Sequence, residues 1–472
     1  MFDLSTDEII SAPIHRVLAL LSIPLLAQNV VEVASLVIDL FWIGRLGGDA
    51  VAAVGLAAPL FSLLLILGIG VPYIGTMILV SQRTGGDEER AARTATFNGV
   101  VLGGLLGVVV GGGAALAAPA LVDALTTIRP GPTPEAVVEL TVSYFRILAL
   151  GLVFASVSDA IEGAFVARGD SRAALYISVA TVVTVLVADP ILIFGVGPVP
   201  KLGVAGAAIA SVLGFVAGLV LAVVFVLRGR AGGVMSRSAA RVGLDEFRAL
   251  FDRGLAPTAQ QANRRVAELV VVVLVFIAGG STALAAYAVG TRVFSTASIP
   301  AQGLQSATQS VVGQNLGAGQ PERAARTASV GVALVGGLLA VIAVVQWTMA
   351  SAIATLLAPG LTGTAFAQAV EFLRFLAVSY PAFGAMYVLQ GGFNGANRGS
   401  VSFRASLLQY WGLQIPLAVI TAVVLDTGVV PVFAAIAASH VLTAVVLAIY
   451  YTTQRGTMFR NAADSGGETP AD

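Results

Sequence analysis

The chain has 472 residues, of which 57% are hydrophobic and only 11% are charged, with no cysteine and a formal net charge of zero. Soluble domains typically carry about 25% charged residues, so this composition excludes a soluble enzyme or a nucleic-acid binder. The absence of cysteine excludes disulfides and thiolate metal sites. The mean hydropathy of +0.91 predicts an integral membrane protein whose surroundings are the lipid bilayer.

Twelve apolar runs are long enough to cross a bilayer, which takes about 20 residues per helix. Clusters of charged residues, glycine or proline end each run. In chain order, the predicted spans are 14–44, 50–80, 94–118, 135–167, 172–196, 203–228, 245–278, 283–314, 323–357, 365–396, 404–426 and 430–453. The first run follows an acidic segment, so we interpret it as a retained span and not as a cleaved signal peptide.

Basic residues are unevenly shared between the loops on the two sides of the predicted membrane. One set of loops carries 18 of them and the other set carries 3. Because loops rich in arginine and lysine stay in the cytoplasm, we expect a multi-pass protein of the plasma membrane with both termini cytoplasmic. An even number of spans requires both termini to lie on one side, which agrees with this expectation.

The chain contains an internal duplication. The heptapeptide Glu-Arg-Ala-Ala-Arg-Thr-Ala occurs at 89–95 and again at 322–328, and other matches follow in the same order. The repeated unit holds six spans, so the two copies have the same orientation in the membrane. We predict an all-α membrane protein with twelve transmembrane helices in two pseudo-symmetric lobes. Its parts are an N-lobe at 1–228, a cytoplasmic linker loop at 229–243, a C-lobe at 244–454 and a cytoplasmic tail at 455–472.

A twin-lobed, twelve-span protein is typical of secondary transporters, whose sites lie near the membrane midplane. The chain has no G-x-x-x-x-G-K-[ST] loop, so ATP drive within it is not expected. No motif indicates an intramembrane enzyme, and no soluble cofactor is expected. The duplication and the intramembrane acids disfavour a receptor that transports nothing.

Acidic residues within the spans are the first candidates for function, because each costs at least about 2.5–3.5 kcal/mol in a membrane helix. At about 1.5 Å per residue, Asp39 and Asp189 lie about 8 and 9 Å below the outer ends of spans one and five. Two carboxylates at one level repel each other when ionised, which favours a proton or Na⁺ between them. We predict that this pair couples transport to the ion. Pro190 lacks an N–H, so it should kink span five and free carbonyl oxygens for a hard cation.

A second pair of acids lies deeper. Glu32 is two helical turns below Asp39 on span one, and Glu162 is at a similar level near the inner end of span four. We predict that Glu32 and Glu162 face a cavity and attract cationic cargo, and that Pro24 is a hinge in span one. The alternative is that each acid is a packed, protonated or arginine-paired structural residue. For Glu268, four residues after Arg264, an internal ion pair is the favoured interpretation.

Several segments in combination resemble the multidrug and toxic compound extrusion (MATE) family. They are Val312–Ala324 (VGQNLGAGQPERA), Asp39–Gly47 (DLFWIGRLG) and Ala188–Gly195 (ADPILIFG). The resemblance covers essentially the whole chain. It implies two six-helix lobes around a central cavity and export of small cationic or amphipathic compounds by H⁺ or Na⁺ antiport. We expect the protein to act as a monomer, without nucleic-acid partners.

The resemblance also assigns residues. Asp39 and Asp189 match the family's aspartates of spans one and five, Tyr144 matches a tyrosine of span four, and Ser211 matches a hydroxyl residue of span six. Val185 departs from the family pattern, which has asparagine four residues before the span-five aspartate. Losing that amide ligand favours H⁺ over Na⁺ at Asp39 and Asp189.

The alternative hypothesis is a flippase for a lipid-linked oligosaccharide or another amphipathic lipid. Such a protein needs a cationic cavity for a pyrophosphate group. In this sequence, the intramembrane acids outnumber the arginines that could line a cavity. The sequence therefore favours the antiporter.

Overall fold

The computed structural model describes residues 6–127, 134–358 and 362–466; within these ranges it does not describe the side chains of residues 6–7, 32–41, 48, 126–127, 281 and 457–466. Over the described ranges the chain is α-helical, with short 3₁₀ and π-helical segments and no β-strand. The all-α prediction is therefore confirmed.

The helices follow the apolar runs of the sequence. In chain order they are α1 Thr6–Ser11, α2 Ile14–Gly44, α3 Gly48–Gly85, α4 Glu89–Thr127, α5 Glu135–Ala167, α6 Ser171–Phe194, α7 Val204–Leu227, α8 Leu244–Ala297, α9 Ile299–Gly317, α10 Pro321–Leu357, α11 Gly363–Gly395, α12 Gly399–Leu407, α13 Ile415–Val419 and α14 Val429–Gly466. The π-helical segments Leu408–Gln414 and Ile420–Val424 flank α13. Both copies of the repeated heptapeptide lie at helix starts, in α4 and α10.

Within the described residues, ten segments are long and apolar enough to span a membrane. The predicted spans 245–278 and 283–314 are not among them; they lie on α8 and α9. Helix α8 carries several charged residues, and α9 is rich in glutamine, serine and threonine. Helix α8 also bends at Gly280, whose φ of 62° and ψ of −152° only glycine adopts readily.

The chain divides into two compact units. The first unit contains Ile23–Thr258, and the second contains Asp7–Ser22 together with the chain from Ala259 onward. Helix α2 therefore belongs to both units: its residues up to Ser22 are in the second unit, and those from Ile23, just before Pro24, are in the first. A proline at this position leaves the carbonyl of Leu20 without its helical hydrogen bond.

Small residues set the packing of the first unit. Gly103, Gly107 and Gly111 form a ridge on α4 that packs against α5, where an added Cβ would lie within 3 Å of α5 atoms at each position. Ridges of this kind let membrane helices approach closely, because lipid provides no hydrophobic drive for their association.

The segment between α7 and α8 packs on the first unit. Val234 is fully buried. Arg93 donates to the carbonyl of Gly232 at 3.0 Å, and Asn98 donates to that of Arg241 at 2.8 Å. Arg83 forms an ion pair with Glu246 at 2.8 Å.

The second unit has an aromatic interior. Phe372 stacks on Phe433 with ring centroids 4.2 Å apart. Helices α9 and α11 meet where Gly391 and Gly395 face backbone oxygens of α9. Helix α14 extends to Gly466, so the segment predicted as a tail from 455 starts as a continuation of that helix.

Candidate functional site

Asp189 lies in the interior of the first unit, with only 1% of its surface exposed. It is carried by α6, which packs closely against the antiparallel helix α7. Three glycines of α7 define the register: Gly206 faces Leu192, Gly214 faces Val185 and Gly218 faces Thr181. These pairs place Asp189 level with residues 209–210 of α7.

Ser211 is therefore one to two residues along α7 from the level of Asp189. Its hydroxyl donates to the carbonyl of Ala207 at 3.1 Å, which leaves the oxygen lone pairs available to accept a bond. Val185, one turn before Asp189, fills the contact with Gly214: a Cβ on that glycine would be 2.6 Å from Val185 Cγ2. The position of the missing amide is thus occupied by a packed methyl group.

Tyr144 lies near the same end of the unit. It is half-buried on α5 and packs in one apolar cluster with Ile193 and Phe194 of α6. Ile193 follows Asp189 by one turn. The ring of Trp42, at the end of α2, makes an edge contact with Phe194, with centroids 6.0 Å apart. The structure therefore brings α2, α5, α6 and α7 together around the end of α6 that carries Asp189.

Glu162 lies at a different level. It is buried, with 5% of its surface exposed, and its Oε1 accepts a hydrogen bond from Gln28 Nε2 at 2.9 Å. Helices α5 and α7 run parallel, with Gly151 beside Val212, so Glu162 is about 20 Å along the helix axis from the level of Asp189. Sequence reasoning missed Gln28, although an amide four residues before Glu32 in an apolar run is a usable signal.

The partners predicted for these two acids are not described. The side chains of Asp39 and Glu32 lie outside the described residues, so both predicted acid pairs and the Na⁺ site at Asp39 and Asp189 stay predictions. Pro24 is buried where α2 passes from one unit to the other. Pro190 lies within α6, which continues as a helix to Phe194.

The second unit holds polar residues that the sequence analysis did not single out as a site. Arg264 on α8 donates from Nη1 to the hydroxyl of Tyr387 on α11, at 2.5 Å. Glu268 lies 3.8 Å from Arg264 Nε and 3.2 Å from Arg265 Nη1, so the predicted internal ion pair exists but is shared. The sequence signal that could have indicated this group is an arginine, Arg264, within a predicted membrane span.

Ten apolar spanning helices within the described residues and a duplicated architecture are typical of a multi-pass membrane transporter, and the similarity of the chain to transporters identifies the class as transporters of small molecules, not enzymes. The chain belongs to the MatE family, whose model matches residues 24–191 and 261–420.

Curated relatives are transporters and resistance proteins. The probable multidrug resistance protein YoeA of Bacillus subtilis is 30% identical over 70% of this chain and 71% of its own length. An FAD transporter of Shewanella oneidensis is 26% identical over 95% of this chain and 96% of its own. The probable multidrug resistance protein NorM of Deinococcus radiodurans is 28% identical over 82% and 83%.

Solved structures share the twelve-helix fold. A multidrug resistance MATE transporter in an outward-facing conformation matches with a TM-score of 0.88 at 20% identity, over 97% of this chain and 99% of that one. A transporter of the MOP superfamily from Pyrococcus furiosus, described as having a binding pocket of reverse polarity, matches with a TM-score of 0.86 at 20% identity, over 97% and 99%.

Proposed function

We propose that this protein is a secondary antiporter of the plasma membrane that exports cationic or amphipathic compounds in exchange for H⁺, acting as a monomer with both termini cytoplasmic. Alternating access of the two lobes would carry cargo and ion in opposite directions. The observation that carries the proposal is Asp189, a carboxylate with 1% exposure in a membrane-spanning helix.

The physical argument concerns the cost of a buried charge. An isolated carboxylate away from water is strongly disfavoured unless a cation or a proton neutralises it. A buried carboxylate can therefore couple transport to an ion, because it has to bind a proton or a cation before the conformational change and release it afterwards. Ser211 near this level and Tyr144, which packs with Ile193 one turn further along α6, carry hydroxyl groups of the kind that can hydrogen-bond either form of a carboxylate.

The proton is favoured over Na⁺ for a reason of ligand chemistry. A Na⁺ ion, as a hard cation, prefers several oxygen ligands. Val185 offers none, and its side chain is packed against Gly214 of α7. A proton needs only the carboxylate and a hydrogen-bond acceptor.

The cargo argument rests on Glu162. Its carboxylate is buried about 20 Å along the helix axis from the level of Asp189 and is held by Gln28. A buried negative charge attracts an organic cation, because electrostatic attraction is stronger where water is excluded. The similarity to YoeA and NorM, each named as a probable multidrug resistance protein, supports the same class of cargo.

The test uses purified protein in liposomes loaded with rhodamine 6G, a fluorescent organic cation. A proton gradient and a Na⁺ gradient are imposed in separate experiments, with Asp189→Asn as the uncoupled variant. We expect movement driven by the proton gradient and lost in the variant. Movement driven only by Na⁺ would overturn the choice of ion. No movement under either gradient, with folded protein, would favour anionic or lipid-linked cargo, as in the flippase hypothesis.

A further inference from the structure

Arg264 lies on the buried face of α8 in the second unit. Ala267, Val271 and Val275 are fully buried, and they follow Arg264 at helical spacings that share one face. The Arg264 side chain is 28% exposed, whereas that of the neighbouring Arg265 is 51% exposed. One arginine therefore points toward the interior of its unit and the other outward.

The charge of Arg264 is only partly compensated. Glu268 is shared between two arginines and lies closer to Arg265, at 3.2 Å, than to Arg264, at 3.8 Å. Arg264 Nε is buried and has no hydrogen-bond partner among the described residues. One carboxylate between two guanidinium groups leaves one positive charge, and a buried guanidinium donor without an acceptor is costly.

The guanidinium is held in place by an aromatic wall. Tyr387 accepts a hydrogen bond from Arg264 at 2.5 Å, and its ring lies 4.4 Å from that of Phe383. Tyr410, with 8% exposure, lies close enough to Arg264 to interact with it electrostatically. Next to Arg264 in the chain, Asn263 accepts from the indole of Trp411 at 2.8 Å, and this ring is 44% exposed.

We propose that this group of residues is a binding site for the carboxylate of an aromatic organic anion. The guanidinium donors of Arg264 that do not bind Tyr387 would hold the carboxylate, since the planar donors of arginine match carboxylate geometry. The tyrosine rings would pack against the aromatic part of the ligand. Tyr387 is a positioning residue that fixes the guanidinium. One excess charge matches a carboxylate; a phosphate dianion would need a second cation.

This proposal is independent of the coupling function proposed for the first unit. It assigns an anion-binding role to residues for which no role in coupling has been argued. Failure of ion coupling at Asp189 would leave the anion site untouched, and the reverse also holds.

The experiment is an equilibrium binding titration of the full protein in nanodiscs. The probe is dansylglycine, a fluorescent aromatic carboxylate, and dansylglycinamide is its uncharged counterpart. We expect dansylglycine to bind at least about tenfold more tightly than the amide, as a charge-assisted hydrogen bond implies. Arg264→Gln should remove that preference, and Arg264→Lys should keep part of it.

Arg292→Gln is the matched control, because it removes the same charge from an exposed position 28 residues further along α8. It should change dansylglycine binding by less than about twofold. Asp189→Asn should leave this binding unchanged. Equal binding of acid and amide by the wild type would overturn the proposal, as would equal losses in the Arg264 and Arg292 variants. If Arg264→Gln does not fold, Tyr387→Phe decides: a several-fold loss for the acid alone supports the site, and no loss overturns it. Inorganic phosphate displacing dansylglycine at lower concentration than benzoate would also contradict a carboxylate site.

Discussion

The two units share an architecture but differ in the charged residues that their helices hold at depth. The first unit buries Asp189 and Glu162 within its helices, besides Asp170 and Arg168 where α5 ends and α6 begins. The second unit directs Arg264 inward among tyrosines. Both contain the same repeated heptapeptide at a helix start. The duplication therefore preserved the scaffold, while the polar interior of each half changed independently.

Individual positions illustrate this divergence. The matching segments Ala208–Ala210 and Ala435–Ala437 are offset by 227 residues, which places Asp189-Pro190 opposite Ile415-Pro416 to within one residue. The proline is present in both halves, and the acid only in the first. A helix proline affects the backbone in either unit, whereas a carboxylate matters only where an ion has to be bound.

We expect the largest effect from Asp189→Asn, which replaces the buried carboxylate proposed to couple transport to the proton. The amide cannot exchange a proton, so we expect gradient-driven export to be abolished while the protein still reaches the membrane. Movement of rhodamine 6G across the liposome membrane under an imposed proton gradient measures this export. Asp49→Asn, at an exposed acid near the start of α3, is the control and should retain activity. Wild-type export by Asp189→Asn would show that the contrast between the units is unrelated to coupling.

Glu162→Gln tests whether the second acid selects cargo. The amide keeps a hydrogen bond to Gln28 but loses the charge. We expect the affinity for an organic cation to fall about tenfold, and that for a neutral compound to stay the same. The concentration dependence of export, compared for rhodamine 6G and a neutral dye, gives the result. An equal loss for both would indicate that Glu162 has a structural role.

Pro24→Ala concerns the place where α2 passes between the units. Alanine supplies the N–H that bonds to the carbonyl of Leu20, which should stiffen the helix. We expect turnover to fall several-fold with cargo binding unchanged. Pro190→Ala provides the comparison within one unit. If turnover is the same in Pro24→Ala and wild type, Pro24 is not a hinge.

The smallest effect is expected at the Arg83–Glu246 pair, which ties the start of α8 to the first unit. Each side chain is about one-fifth exposed, at 19% and 20%. Removing a pair of this kind costs about 1 kcal/mol or less. A double-mutant cycle of Arg83→Met and Glu246→Gln, followed by thermal unfolding, should give a coupling free energy that decreases with added salt. Additive effects would show that the pair contributes nothing.

Much of the fold was predictable from local sequence, because the length of an apolar run is a local property. The predicted span 135–167 coincides with α5, Glu135–Ala167. The structure departs from the predicted spans at α8 and α9. The predicted boundary between spans 245–278 and 283–314 is only a bend at Gly280 within α8, and α8 ends at Ala297. At the site, Asp189 and Ser211 were predicted to act together; the register of α6 and α7 puts Ser211 one to two residues from the level of Asp189, and their joint role stays a prediction.

The sequence by itself determined the number of apolar runs, the duplication and the presence of acids where lipid disfavours them. Those features depend on composition and on spacing within one helix. Only the tertiary structure decided which polar groups meet. Gln28 and Glu162 are 134 residues apart in the chain, and Arg264 and Tyr387 are 123 apart. Contacts at such separations depend on how whole helices pack and rotate, and no local pattern specifies that.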